Sequence, residues 1–524
     1  MKRKPVAVLA AFVVALGGSA VPGEEPPSPR NIGPRNIGPI NIGSRLELLL
    51  DDYLIESMPG LSFKLHTPRL AERVVDFDSP WEIRYADYVT VFKDGDLFRM
   101  YYSNYLDAVF SKLPPGERKG ECWTGENQIT CYRESRDGIQ WTKPSLGLVE
   151  IQGSTDNNVI LHGETSHNFT PFRDPRPGIP PDEQYKAVGG EARGPYAYVS
   201  ADAIHWRMLS DKPFFTLVHP AFDRHGVTFW GKGTKHAVLD SQNVAFWDNR
   251  TQRYLFYFRA WIPNDRTGTI KGTNARTVFR STSSDFLSWS DPEPIDLGGA
   301  PMEHLYTNAT IPYFRAPHIY LSFPMRFADA HPALVDNVAG TGVTDTIFMF
   351  SRDGLRFSRR YMEAFLRPGH DRLNWTKHSV LMAWGLLQLA PEEISFYVTQ
   401  HHELPSAHLR RFVLRTDGFV SVLAPHAGGE LTTRPLIFSG ERLVLNVSTS
   451  AVGSVRVEIQ NADGKPIDGY RLEESREFYG DEIATTAQWK DGSDVGKLAG
   501  KPVRLRIQMR DADLYSFRFS PQEK

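Results

Sequence analysis

The sequence predicts an all-β protein, a five-bladed β-propeller followed by a C-terminal β-sandwich, and three observations carry that prediction. The first is a repeat. Ser135-Arg-Asp-Gly-Ile-Gln-Trp141, Ser200-Ala-Asp-Ala-Ile-His-Trp206, Ser283-Ser-Asp-Phe-Leu-Ser-Trp289 and Ser351-Arg-Asp-Gly-Leu-Arg-Phe357 share the pattern S-x-D-x-x-x-aromatic, and Arg415-Thr-Asp-Gly-Phe419 is a degraded fifth copy. The aspartates stand at 137, 202, 285, 353 and 417, so the gaps are 65, 83, 68 and 64 residues. A period of this kind marks a repeat architecture.

The second observation is what surrounds each copy. A short β-rich run precedes it and a large aromatic ends it, which reads as a strand, a tight turn and a second strand. A longer strand pair comes before, as in VFKDGDLFRMYY at 91–102 and NVAFWDNRTQRYLFYF at 243–258. Two hairpins make a four-stranded sheet, and five such sheets make a propeller. The third observation is a change of texture after Gly429. Val455, Val457 and Ile459 alternate with Arg456 and Glu458, and Val503, Leu505, Ile507 and Met509 alternate with Arg504, Arg506 and Gln508. Strands with one apolar and one polar face belong to a sandwich packed on one side.

Taken in order, the chain opens with Met-Lys-Arg-Lys, an apolar run from Val6 to Leu16 and then small residues. This is the pattern of a secretory signal over 1–21, too short for a membrane span. Secretion or delivery to the periplasm is therefore expected, with no membrane span in the mature protein. Residues 22–45 hold Pro, Gly, Asn and Arg and the repeat RNIGP-RNIGP-INIGS, which buries too little apolar surface to fold and reads as a disordered linker. The propeller is expected over 46–425 and the sandwich over 430–520. LELLLDDYLI, from Leu46, is a candidate for the strand that closes the propeller ring.

The 524 residues are 41% hydrophobic and 12% aromatic, enough for more than one core. Sixty basic and 62 acidic residues give a net charge of −2, without the electrostatic footprint of a nucleic-acid partner. Cys122 and Cys131 are the only cysteines, nine residues apart. In an exported chain they form either a disulfide or two free thiols, and nothing in their spacing suggests a metal site. Nucleophile-elbow, phosphate-loop and dinucleotide motifs are absent, so serine-esterase, NTPase and nicotinamide chemistry have no support, and no cofactor is expected.

In a propeller the first strand of each blade lines the central channel, and ligands bind at one mouth. Asp94, Asp174 and Asp248 mark the turns that end three such strands. Seven residues back stand Asp87, His167 and Ser241, and the same count from Arg315 gives Asn308. Polar residues therefore gather at one end of these strands. Three carboxylates are among them, Asp87, Asp240 and Glu303. Cleaving a glycosidic bond needs one carboxylate as nucleophile or base and one carboxylic acid to protonate the leaving oxygen.

Glu303, near Met302 and Leu305, is expected to be shielded and to act as the acid; Asp240 or Asp87 is expected to act as base or nucleophile. His167, Asn168, Gln242, Asn243, His304, Asn308, Arg326 and His378 are expected to contact sugar hydroxyls. The competing structural account is that the acids cap strand ends or pair with arginines. His167, His304 and His378 could instead meet around an ion, but no metal site is assigned, and His401-His402-Glu403 reads as a strand end. Phe172-Arg-Asp-Pro175 has the look of a sugar-hydrolase signature, yet the register puts Asp174 at the turn, away from the channel mouth.

The blade motif at 135–141 and the strand pair at 91–102 resemble the five-bladed glycoside hydrolases related to families 32 and 43. DDYLIE at 51–56, HNFTPF at 167–172, EHLYTNA at 303–309 and RIQMRDADLYSFRF at 506–519 resemble exported, planctomycete-type family 32-like bacterial proteins. The resemblance implies a propeller glycosidase acting on a carbohydrate, with Asp87 matching the family's first-blade aspartate. His167 stands where those families carry an aspartate and Asp240 where they carry a glutamate, and the W-M-N-D-P-N-G and E-C motifs are missing. A propeller that binds carbohydrate without cleaving it is the alternative reading, and an exported scaffold protein is a further one.

Overall fold

The computed structural model describes residues 38–83, 86–106, 125–229, 235–264, 268, 270–335 and 341–521. The signal at 1–21, most of the linker and Cys122 lie outside the described residues. Cys131 is buried on strand Gln128–Ser135. Almost every regular element is a strand, and no described helix is long and apolar enough to cross a membrane.

Three four-stranded antiparallel sheets come first along the chain. The first runs Asp87–Asp94, Leu97–Tyr105, Gln128–Ser135 and Val159–His162. The second runs Thr170–Arg173, Tyr185–Gly189, Tyr196–Ser200 and Arg207–Met208. The third runs Val244–Asp248, Arg253–Pro263, Asn274–Ser283 and Glu293–Pro294. The fourth repeat splits into two three-stranded sheets, because its second strand breaks between Ala316–Ser322 and Met325–Ala328 at Phe323-Pro324. Proline has no N–H to give the ladder. The last sheet holds Leu381–Met382, Glu393–Gln400 and His408–Arg415, and its outer strand is Arg69–Asp76 from the other end of the chain.

The repeated motif forms one turn four times. Asp137 Oδ1 accepts the N–H groups of Ile139 and Gln140 at 2.8 Å, Ser135 Oγ accepts that of Gly138, and Trp141 Nε1 donates to the Gly138 carbonyl. Asp202, Asp285 and Asp353 make the same pair of bonds in their copies. The residue after each aspartate has positive φ, 67° at Ala203 and 69° at Phe286, a left-handed conformation that the Asp and Ser bonds hold against its steric cost.

Three of the four turns also fasten two sheets. The Ala203 carbonyl accepts the Tyr101 hydroxyl at 2.7 Å, that of Gly354 accepts Tyr257, and that of Gly138 accepts Tyr397, the latter two at 2.6 Å. Asp94, Asp174 and Asp248, at the inner-strand turns, accept the hydroxyls of Tyr185, Tyr254 and Tyr320 from the following sheet. Backbone bonds between Trp384 and both Val89 and Val91 join the last sheet to the first.

The C-terminal strands form a ten-stranded sheet on Arg442–Asn461 and Val503–Ser520, folded around a core that includes Trp489, Val457, Ile459, Ile507 and Phe519. Two expectations are corrected here. The linker expected to be disordered to residue 45 is ordered at its end: Ile40–Gly43 pairs in parallel with Leu436–Phe438, and its alternating Ile40 and Ile42 are buried in this core. Leu46 onward does not pair with the last of these sheets. Glu47–Leu48 pairs with Val503–Ser520, and Arg69–Asp76 is the strand that joins the last sheet instead.

The fifth motif copy has lost its serine and its cap. Asp417 instead accepts Tyr313 Oη at 2.6 Å, Arg315 Nε at 2.9 Å and Ser516 Oγ at 2.9 Å, tying the fourth repeat and the C-terminal sheet to the last sheet.

Candidate functional site

The polar residues at the starts of the inner strands converge. Asp87 opens the first strand of the first sheet, and its Oδ1 lies 2.7 Å from His402 Nε2 of the last sheet. The His402 ring packs edge-on against His378, with centroids 5.1 Å apart, and His378 against Tyr306 at 4.5 Å. His378 Nε2 is buried without a hydrogen-bond partner. Asp87, His378 and His402 each present one ligand-type atom, all within 4.8 Å of one another. Burial and the cationic neighbours Lys377, His402, Arg276 and Arg259 hold His378 well below the ordinary imidazole range.

Two buried arginines flank this group. Arg259 is a lone charge in the apolar run YLFYFRAW and is ion-paired with Asp240, whose side chain keeps 36% exposure. A buried charge needs a counter-charge, and the strand carrying Arg259 puts it under the loop that supplies Asp240. Arg276 lies 4.0 Å from the Trp261 ring centroid, 4.7 Å from that of Tyr306 and 4.9 Å from that of Phe327. It makes no ion pair among the described residues, and burial beside Arg259 pushes its guanidinium down to about 10.

Glu191 is a carboxylate that the sequence analysis missed. It sits in the loop Gly189-Gly-Glu-Ala-Arg-Gly194 of the second sheet, with Oε2 3.3 Å from His167 Nε2. Burial raises its carboxyl above the usual range, and the Asp240 and Glu164 charges add to that, while His167 and Arg259 work against it. The charges of Asp87 and Asp240 act on the buried hydroxyls of Tyr88 and Tyr105, and that of Glu191 on Tyr105 as well.

Several expected site residues lie elsewhere or do other work. Glu303 is buried, as expected, but its carboxylate is held by two arginines. Its Oε1 accepts Arg326 Nη1 at 2.7 Å and its Oε2 accepts Arg359 Nε at 2.9 Å, while Arg326 also grips Asp345. Both carboxylate oxygens are thus taken up in ion pairs, and Arg326 is committed to the same network. Asn168, Gln242, Asn243 and Asn308 have relative exposures of 0 to 1%. They tie neighbouring strands: Asn168 Nδ2 donates to the Leu239 and Ser241 carbonyls, Asn243 Nδ2 to that of Leu239, and Asn308 Nδ2 to that of Gln242, whose Oε1 accepts the Ala309 N–H. Three of them keep one buried polar atom without a partner: Asn168 Oδ1, Gln242 Nε2 and Asn243 Oδ1.

His304 Nδ1 accepts the Arg276 N–H, and burial with the nearby Arg276 charge holds its imidazole at about 4. Thus His167 pairs with Glu191, His304 Nδ1 takes the Arg276 N–H and His378 packs against His402; among the described residues these three histidines form no common ligand group. Asp174 is at its turn with Tyr254, Arg176 and Lys186, away from the converging acids. His402, read as a strand end, is at the centre.

No family model matches this chain, and no curated protein matches it. Solved structures do. A structure titled simply a glycoside hydrolase is 14% identical, covering 67% of this chain and 92% of its own, with a TM-score of 0.41. A family 43 arabinoxylan arabinofuranohydrolase from Bacillus subtilis is 12% identical, covering 84% and 96%, with a TM-score of 0.39. The catalytic domain of a family 62 α-L-arabinofuranosidase from Coprinopsis cinerea is 10% identical, covering 67% and 98%, with a TM-score of 0.37.

Proposed function

We propose that this chain is an exported glycoside hydrolase. On this reading the sheets from Arg69 to Arg415 are the blades of a five-bladed propeller, and the strands of 40–65 join those of 430–520 in a β-sandwich. Tyrosine-to-turn fastenings between successive sheets, and the Trp384 bonds that return from the last sheet to the first, support the ring.

One observation carries the activity: two acids close enough for the charge of one to act on the other have different environments. Asp240 is ion-paired with Arg259, whereas burial and neighbouring anions raise Glu191. Titratable groups driven apart by their surroundings mark acid and base roles. Glu191 is the proton donor to the leaving oxygen and Asp240 the base or nucleophile; Glu303 holds Arg326 and Arg359 in place. Because Arg276 has no carboxylate of its own, the favoured substrate is a saccharide that carries an anionic group.

The test is a polysaccharide panel with purified protein, followed by Glu191→Gln and Asp240→Asn. Each substitution keeps side-chain size and should slow turnover by roughly 10²–10⁴-fold. Full turnover in both variants would overturn the assignment. Saturable binding of a saccharide without cleavage by the wild-type protein would replace the hydrolase with the carbohydrate-binding reading.

A further inference from the structure

We infer that Asp87, His378 and His402 form a binding site for one divalent cation of the zinc type, at the seam between the first and last sheets. The site is independent of the Glu191 and Asp240 assignment, because it uses none of those side chains.

Geometry is the first argument. Three ligand-type atoms from three separate stretches of chain lie within 4.8 Å of one another. Ligands about 2.0–2.2 Å from a common centre are separated by no more than about 4.4 Å, so a cation needs only a small contraction of the cluster. The donor set is the second. Two imidazoles and one carboxylate suit zinc, iron, cobalt or nickel, whereas magnesium and calcium prefer oxygen-only shells.

The third argument is an unpartnered ring nitrogen. A buried polar atom ordinarily has a partner, yet His378 Nε2 has none. A cation would take the place of the contact between Asp87 Oδ1 and His402 Nε2, with His402 neutral and its ring proton on Nδ1.

The backbone around the cluster is also held in a costly form. His378 has φ 66° and β-branched Val380 has φ 64°, and Tyr88 and His401, each adjacent in sequence to another ligand, have φ 50° and 54°. Left-handed conformations at such residues persist where surroundings over-determine them, and they gather at ligand sites. The supporting bonds are present: the His402 N–H donates to Ser379 Oγ at 3.1 Å, and that hydroxyl lies 2.7 Å from Thr376 Oγ1. Three protein ligands leave a coordination position open, as in zinc sites that take a water or substrate atom rather than closed structural ones.

The experiment uses tag-free, full-length protein stripped with a chelator and titrated with Zn2+ and Co2+ by calorimetry, with melting temperature and the visible spectrum of the Co2+ form as further readouts. One equivalent should bind, the melting temperature should rise, and Ca2+ and Mg2+ should fail to compete. His378→Ala and His402→Gln should each weaken Zn2+ binding by at least about 100-fold while melting cooperatively, and Glu191→Gln should bind as the wild type does. Should one variant fail to fold, the other decides. Absence of saturable Zn2+ binding, unchanged affinity in both histidine variants, or equal competition by Ca2+ would overturn the site. None of these outcomes depends on whether a saccharide is cleaved.

Discussion

Nε2 of His402 lies 2.7 Å from Oδ1 of Asp87, although 315 residues of chain separate them. The contact exists only because the last sheet is brought back onto the first, and the Tyr397 hydroxyl on the Gly138 carbonyl fastens the same seam. Tyr397→Phe removes that bond and leaves the Gly138 carbonyl with Trp141 Nε1 alone, at a cost of about 1 kcal/mol. Tyr101→Phe and Tyr257→Phe, which touch other seams, should cost the same in denaturant unfolding. Only Tyr397→Phe should also disturb the His402 and Asp87 signals in NMR titration.

Glu303→Gln should separate stability from turnover. It leaves Arg359, which is buried, and Arg326 without their shared counter-charge, and breaking a buried pair costs about 3 kcal/mol. Turnover should fall far less than in Glu191→Gln. A stable Glu303→Gln protein with a 10²-fold loss of turnover would return the acid role to Glu303.

Arg276→Gln should change preference rather than chemistry. The guanidinium lies among three aromatic rings and has no ion pair among the described residues, so its loss should weaken an anionic saccharide by about 1.5–3 kcal/mol, the worth of a charged hydrogen bond. KM for a neutral analogue should stay within a few-fold. Equal losses on both substrates would show that Arg276 only supports Trp261 and Tyr306.

Burial holds the imidazoles of His66, His304 and His408 at about 4. Their pKa values are depressed on folding, so the stability they contribute is complete above the unfolded value near 6.5 and is lost as pH falls toward 4. By pH 5 each costs up to about 2 kcal/mol. Glu191, raised in the folded state, acts in the opposite sense, but it is one group against three. The melting temperature should therefore drop between pH 7 and pH 5, and His304→Gln should flatten that slope.

The repeat was readable in the sequence because the turn is made by local bonds: a serine, an aspartate two residues on and an aromatic four beyond that are all within one loop. The same register placed Asp87, Asp174 and the inner-strand turns where they stand. The pairing of charges was not readable. Asp240 with Arg259 spans 19 residues, Glu303 with Arg359 spans 56, and nothing local specifies either. Glu191 had one signal, a charge between glycines at a strand end, and Arg259 another, a lone charge in an apolar strand. The segment at 40–43 escaped because its Pro- and Gly-rich surroundings hid two isoleucines with period-two spacing.

The pairing of Arg69 with Val413 also sets a timetable for the nascent chain. When Arg69–Asp76 leaves the ribosome, its partner strand has not been made, and 344 further residues must be added before Val413 exists. At roughly 5–20 residues per second this takes roughly 20–70 s, during which an eight-residue strand, its Val75 destined for the core, has an unpaired edge. The arginines and glutamate of RLAERVVD leave that waiting edge charged, which discourages a second nascent chain from adding to it. The pairing of Arg69–Asp76 with His408–Arg415 therefore comes late in synthesis, and a chain that stops before residue 408 never forms it.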